Sequence, residues 1–137
     1  MLVQIQAFAN GFPVALLHAL CTLAILVAAS ALHAVFSPAR EIGHIREGNP
    51  AAAVAFGGVV FALAGPLAVA MLTATSLIEL GLWGGAAALS ALITFRIVDL
   101  ILAGLPQRVQ EGEVSAAVLL TAAKLAVAII LAAAIAG

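Results

Sequence analysis

The sequence predicts an all-α integral membrane protein with four transmembrane helices. Hydrophobic residues make up 66% of the chain and charged residues 8%, which leaves too little polar surface to cover a soluble domain. Four apolar stretches, each longer than the roughly 20 residues that cross a hydrocarbon core, occupy residues 14–36, 51–73, 77–103 and 114–136. Backbone groups in lipid must be hydrogen-bonded within their own segment, so each stretch should be a helix. We therefore expect a single membrane domain over residues 1–137.

The residues between the stretches indicate where the helices begin. Asn49 is a suitable N-cap for the second helix, with Pro50 at its first position. Glu79 lies in the first turn of the third helix, where a negative charge complements the helix dipole. Glu113 stands before the fourth helix in the same way. These residues predict helix starts near 50, 77 and 114.

Basic residues predict the orientation of the chain in the membrane. Arg40 and Arg46 lie between the first and second stretches, and Arg108 lies between the third and fourth. The gap at residues 73–76 has no charge, and neither terminus carries Lys or Arg. Loops that retain Arg and Lys usually face the cytoplasm. We therefore expect cytoplasmic loops at 37–50 and 104–113, with both termini extracytoplasmic.

A short internal repeat indicates how the helices are related. Residues 45–54 align with residues 109–118 at an offset of 64, with five of the ten positions identical. Each copy runs through a Glu-Gly turn into an Ala-Ala-Val helical start. The alignment predicts a parallel duplication of a helical hairpin, with halves at about 1–73 and 74–137. A chance match in an alanine-rich chain is the alternative.

The loop at Ser37–Ala52 resembles the central loop of the YjfL-like family of small bacterial inner-membrane proteins, which is catalogued as a domain of unknown function. Gly65-Pro66-Leu67 is similar to the second-helix kink of that family, and Ser76–Glu79 followed by Trp83-Gly84-Gly85 is similar to its third-helix entry. The resemblance implies a bacterial inner-membrane protein built from duplicated helix pairs. It also implies a setting among membrane-stress proteins or membrane-associated modification enzymes rather than a particular reaction.

Small residues at helical spacing predict close helix packing. Gly58 and Gly65 lie on one face of the second helix, and Gly81 and Gly85 lie on one face of the third. Small residues at such steps let helix backbones approach each other in lipid, either within one chain or between chains. The four glycines offer more close-packing surface than four helices need internally, so we expect a homo-oligomer.

Three ionisable residues within the apolar stretches are candidates for a functional site, because a charge is costly there. At 1.5 Å per residue, Arg96 and Asp99 lie about 10 Å and about 6 Å from the predicted helix end at residue 103, and Lys124 lies about 15 Å deep. In one interpretation Arg96 and Lys124 extend to the headgroups and Asp99 pairs with a guanidinium. In the other, Lys124 reaches Asp99, and a bound anion or deprotonation of Lys124 relieves the excess positive charge.

Two functions from different classes fit this sequence. The first is an oligomeric membrane scaffold or adaptor that presents its two loops to a peripheral cytoplasmic protein. The loop residues that would form this surface are Glu41, Arg46, Gly48, Asn49, Glu111 and Gly112. The second is a small oligomeric pore or carrier for an ion, a proton or a small solute, with Lys124, Asp99 and Arg96 along a polar path.

Several classes are excluded by what the sequence lacks. There is no nucleotide-binding loop, no pair of metal ligands at helical spacing and no nucleophile beside a base, so we expect neither an enzyme nor a bound metal or cofactor. Five basic residues in a chain of net charge −1 leave no basic patch for nucleic acid. The partners that we expect are the lipid bilayer, further copies of the chain and a peripheral protein.

Overall fold

The computed structural model describes residues 1–137, and its regular secondary structure is entirely helical. Six helices follow in chain order: α1 (Leu2–Phe36), α2 (Glu41–Arg46), α3 (Pro50–Thr73), α4 (Leu77–Ile101), α5 (Leu105–Gln110) and α6 (Val114–Ala136). Helices α1, α3, α4 and α6 are long and apolar enough to cross a membrane. The prediction of an all-α, multi-pass membrane protein with four spans is confirmed.

The bounds of three spans match the prediction closely, but α1 is much longer than predicted. It begins at Leu2 rather than residue 14 and continues through Gly11 and Pro13 without a break. Glycine and proline indicate a helix end in a soluble protein, but membrane helices tolerate both. The difference at the end of α4 is small, because that helix ends at Ile101 rather than at residue 103.

The two charged loops contain the short helices α2 and α5, which were not predicted from the sequence. Six residues are too few to show a helical period. Each short helix is preceded by a residue in the left-handed region, Arg40 (φ 49°) and Gly104 (φ 93°). Each is followed by a glycine with φ 87°, Gly48 and Gly112. Glycine reaches this conformation without the steric cost that a side chain brings.

The same backbone hydrogen bonds close both loops at an offset of 64 residues. The N–H of Asn49 donates to the carbonyl of His44 at 2.9 Å, and the N–H of Glu113 donates to the carbonyl of Arg108 at 3.0 Å. Asn49 also caps α3, because its side-chain oxygen accepts a hydrogen bond from the N–H of Ala52 at 3.1 Å. The predicted N-cap is therefore confirmed.

Helices α3 and α6 make the most extensive contact in the molecule. Gly58 permits this approach, because a Cβ at that position would overlap the Thr121 side chain. Thr121 also donates from its hydroxyl to the Val54 carbonyl of α3 at 3.3 Å. Helix α4 packs against α1, α3 and α6, and Phe95 of α4 is completely buried at the centre.

Helix α1 contributes to the core only through its second half. Its buried residues are Ala29, Ser30 and His33, and everything before residue 18 is exposed within a single chain. The N-terminal part of α1 is therefore not covered by the rest of its own chain.

Candidate functional site

The loops at 37–49 and 104–113 lie together at one end of the helix bundle. The side-chain amide of Asn49 donates to the carbonyls of Val109 at 2.9 Å and Gln110 at 3.0 Å. The Gln110 amide donates to the Pro38 carbonyl at 2.6 Å. We call the surface formed by residues 37–49 and 104–113 the loop platform. Since both loops end in the same network, they form one surface rather than two separate segments.

A shallow polar cleft of about 270 Å³ runs between the two loops of the platform. Its lining contains no hydrophobic residue and consists of His44, Glu47, Gly48, Asn49, Gln110, Glu111 and Gly112. Beside it, the Arg108 guanidinium forms an ion pair with Glu113, and hydrogen bonding from Arg108 lowers the pKa of the Glu113 carboxyl. The predicted loop residues Arg46, Gly48 and Glu111 are exposed.

Glu41 differs from the other predicted loop residues, because it is 1% exposed and therefore not available to a partner. Its Oε1 lies 3.4 Å from Nε2 of the buried His33. Burial disfavours the charged carboxylate, but His33, Ser37 and the backbone amide of Glu41 outweigh it and hold the Glu41 pKa below its usual value. The second oxygen, Oε2, is buried and makes no hydrogen bond.

The His33–Glu41 pair was not predicted from the sequence. The two residues are eight positions apart, on different helices. The sequence feature that could have indicated this pair is the Ser37-Pro38 dipeptide between the two residues, which ends α1 and begins a turn. A turn of this kind brings a residue from the last turn of one helix close to the first residue of the next.

The intramembrane residues Asp99 and Lys124 form a buried ion pair between α4 and α6. The Lys124 Nζ lies 2.9 Å from Oδ1 of Asp99, and both side chains are 4% exposed. Arg96 is exposed and forms no ion pair. The interpretation in which Lys124 extends to the headgroups and Asp99 pairs with Arg96 is therefore wrong. Helices α4 and α6 are in contact, so Lys124 finds its carboxylate inside the bundle.

A cavity of about 350 Å³ lies between the ends of α1 and α4, next to the platform. Its lining residues are Leu32, His33, Phe36, Ser37, Pro38, Leu92, Arg96 and Asp99. A smaller cavity of about 210 Å³ shares Pro38, Arg96 and Asp99 with it. One member of each buried pair, His33 and Asp99, therefore forms part of the wall, and Glu41 and Lys124 lie behind the wall.

Only one of the four predicted packing glycines makes a close contact within the chain. Gly58 lies against α6, whereas Gly65, Gly81 and Gly85 are exposed and have open space where a Cβ would be. Gly84, one position from the predicted Gly85, is the buried glycine of α4, and a Cβ there would lie 3.0 Å from the Ile25 side chain. The predicted face on α4 is thus rotated by one residue from the face that packs inside the chain.

The chemistry available at this end of the bundle is ionic and hydrogen-bonding. No three His, Cys, Asp or Glu side chains are close enough together to hold a metal ion. The cavity offers a guanidinium, an imidazole, a hydroxyl and a carboxylate beside apolar side chains. This set suits the binding of a charged group that also has an apolar part.

The family model of a Domain of Unknown Function, DUF350, matches residues 7–135, which is nearly the whole chain. No curated protein and no solved structure matches the chain. The resemblance to a family catalogued as a domain of unknown function is confirmed, whereas the match does not carry the YjfL name. The chain therefore belongs to the DUF350 family.

Proposed function

We propose that this protein is a non-enzymatic scaffold or adaptor of the bacterial inner membrane. It self-associates in the bilayer and presents the loop platform to a peripheral cytoplasmic protein of an envelope-stress or membrane-associated modification system. The observation that carries the proposal is the double hydrogen bond from the Asn49 amide to the carbonyls of Val109 and Gln110, which makes one surface from two loops.

The platform is suited to recognition because it is already ordered. Beneath it, Val109 is fully buried and packs with Ala51, Ala52 and Ala117 in an apolar cluster. A rigid surface loses less conformational entropy on binding than two independent loops. Its exposed charges are of both signs, with Arg46 and Glu111 among them, so it suits a partner of mixed charge.

The orientation of the platform follows from its arginines. All the arginines outside the spans belong to the two loops at this end, which favours a cytoplasmic platform and extracytoplasmic termini. The shared loop conformation at an offset of 64 supports a parallel duplication of helical hairpins. Both hairpins then present their loops on the same side of the membrane.

The exposed glycines support self-association. Gly65 on α3 and Gly81 and Gly85 on α4 have open space around them and can receive a helix of a neighbouring copy. Closed symmetric assemblies are the usual outcome for such contacts. A symmetric oligomer would place several platforms side by side.

A cross-linking experiment tests the scaffold. A photoreactive amino acid at Glu111 should yield a discrete adduct with a peripheral protein in native membranes. The matched position is Thr75, which is exposed at the opposite end of the bundle and should give no such adduct. If the two positions gave the same adducts, or if neither gave one, the platform would not be a docking surface.

A small pore or carrier is the second candidate, and the cavity at Arg96 and Asp99 favours it. Against it, Lys124 is closed off by Asp99 rather than open to either cavity. Purified protein in liposomes that contain a proton- or ion-sensitive dye separates the two functions. Flux that disappears in Lys124→Met, while the protein still inserts, would favour the pore over the scaffold.

A further inference from the structure

The cavity between α1 and α4 lies near the ends of these two spans, on the side of the loop platform, where lipid headgroups are expected. Phe36 is the last residue of α1, and Arg96 lies five residues, or about 8 Å, before the end of α4. Leu32 and Phe36 on its rim are 50% and 73% exposed, so the cavity opens sideways toward lipid. It therefore combines an apolar entrance with a polar interior.

The charges around this cavity leave one cation without a counterion. The Asp99 carboxylate on the wall is already matched by Lys124 at 2.9 Å, and His33 faces Glu41. The Arg96 guanidinium forms no ion pair, although it lies at the edge of a low-dielectric region. A guanidinium has five N–H donors in a planar arrangement that matches the oxygens of a phosphate group.

We propose that this cavity binds the phosphate of a membrane phospholipid. Arg96 holds the phosphate oxygens, and an acyl chain lies along Leu32 and Phe36. The lipid supplies the negative charge that the site lacks and the apolar surface that its rim requires. This inference does not depend on the scaffold function, because it concerns the α1–α4 cavity and not the loop platform.

Native mass spectrometry of the full chain in mild detergent, with lipid added, tests the assignment. The probes are phosphatidylglycerol and a diacylglycerol with the same acyl chains but no phosphate. The wild-type protein should retain phosphatidylglycerol and release the diacylglycerol. Arg96→Gln should weaken phosphatidylglycerol binding about tenfold, as expected for loss of a charge-assisted contact. Arg96→Lys keeps the positive charge but loses the planar donors, so it should restore only part of the binding.

Arg46→Gln is the matched control, because it removes an exposed arginine at the same end of the bundle but away from the cavity. The proposal is overturned if Arg96→Gln binds the lipid as tightly as Arg46→Gln. Equal retention of the diacylglycerol by the wild type would also overturn it, and this measurement stands even if Arg96→Gln fails to fold. Displacement of the lipid by millimolar inorganic phosphate would identify a site for soluble phosphate and overturn the lipid assignment.

Discussion

Replacement of Lys124 by methionine should destabilise the protein strongly. The change keeps an apolar side chain of similar length but removes the only ion-pair partner of Asp99, which is 6% exposed as a residue. Breaking a buried ion pair from one side costs about 3–5 kcal/mol, because the remaining charge has no compensation.

The size of this loss makes it measurable by thermal unfolding in detergent. For a chain of this length, about 3–5 kcal/mol corresponds to a decrease in Tm of roughly 10–20 °C. The double variant Lys124→Met/Asp99→Asn should recover most of the loss, because a neutral amide replaces the unpaired charge. Arg46→Met is a control for the removal of an exposed cation and should change Tm very little.

The result that refutes this reasoning is additivity. If Lys124→Met and Asp99→Asn each lower Tm and the double variant shows the sum of the two decreases, the residues do not act as a pair. A Lys124→Met protein that is as stable as the wild type would refute it equally. A recovery in the double variant with no effect on liposome flux would count against the pore.

Four further predictions follow from other parts of the molecule. Asn49→Asp keeps the oxygen that caps α3 but loses both amide donors, so hydrogen exchange in the 104–113 loop should rise while α3 stays protected. We expect native mass spectrometry to detect an oligomer of the wild type that Gly85→Leu dissociates or rearranges, and a wild-type protein that is only monomeric would contradict this. The Glu41 pKa is below its usual value in the folded protein, so its ionised form stabilises the fold above about pH 4.5. This stabilisation disappears as the pH falls through the folded pKa. Glu41→Gln should therefore remove this part of the acid dependence when Tm is measured over a pH series. A reporter that is active only in the cytoplasm should be inactive when it is fused to Gly137. Activity of this fusion would contradict the predicted extracytoplasmic C-terminus.

The sequence was sufficient for the spans because hydrophobic length alone defines a membrane helix. The start of α6 at Val114 and that of α3 at Pro50 agree with the prediction to within a residue. The predicted start of α1 was wrong. Gly11 and Pro13 usually mark a helix end in a soluble protein, but a membrane helix can continue through them. Helices α2 and α5 were missed because their conformation depends on positive-φ residues such as Gly104 rather than on any periodic pattern.

The candidate site could be predicted only in part, because pairing depends on how the helices rotate. Depth along the helix placed Asp99 about 6 Å and Lys124 about 15 Å from the loop end of the bundle. Only helix packing could show that their side chains meet. The rotation of α4 buries Gly84 and exposes Gly85, and the sequence pattern does not distinguish the two. Glu41 was read as a surface residue because it lies in a charged loop, and its burial depends on His33 across a turn.

The length of α1 has a consequence for the kind of membrane this protein needs. Its 35 residues span about 52 Å, whereas the hydrocarbon core is about 30 Å thick. Even at a tilt of about 40°, the steepest usual for a membrane helix, roughly 10 Å of helix still projects beyond the core. The projecting end exposes apolar side chains, among them Leu2, Val3 and Ile5, which alternate with Gln4 and Gln6. A thicker bilayer covers more of this end and a thinner one exposes it to water, so α1 makes the stability of the protein sensitive to bilayer thickness.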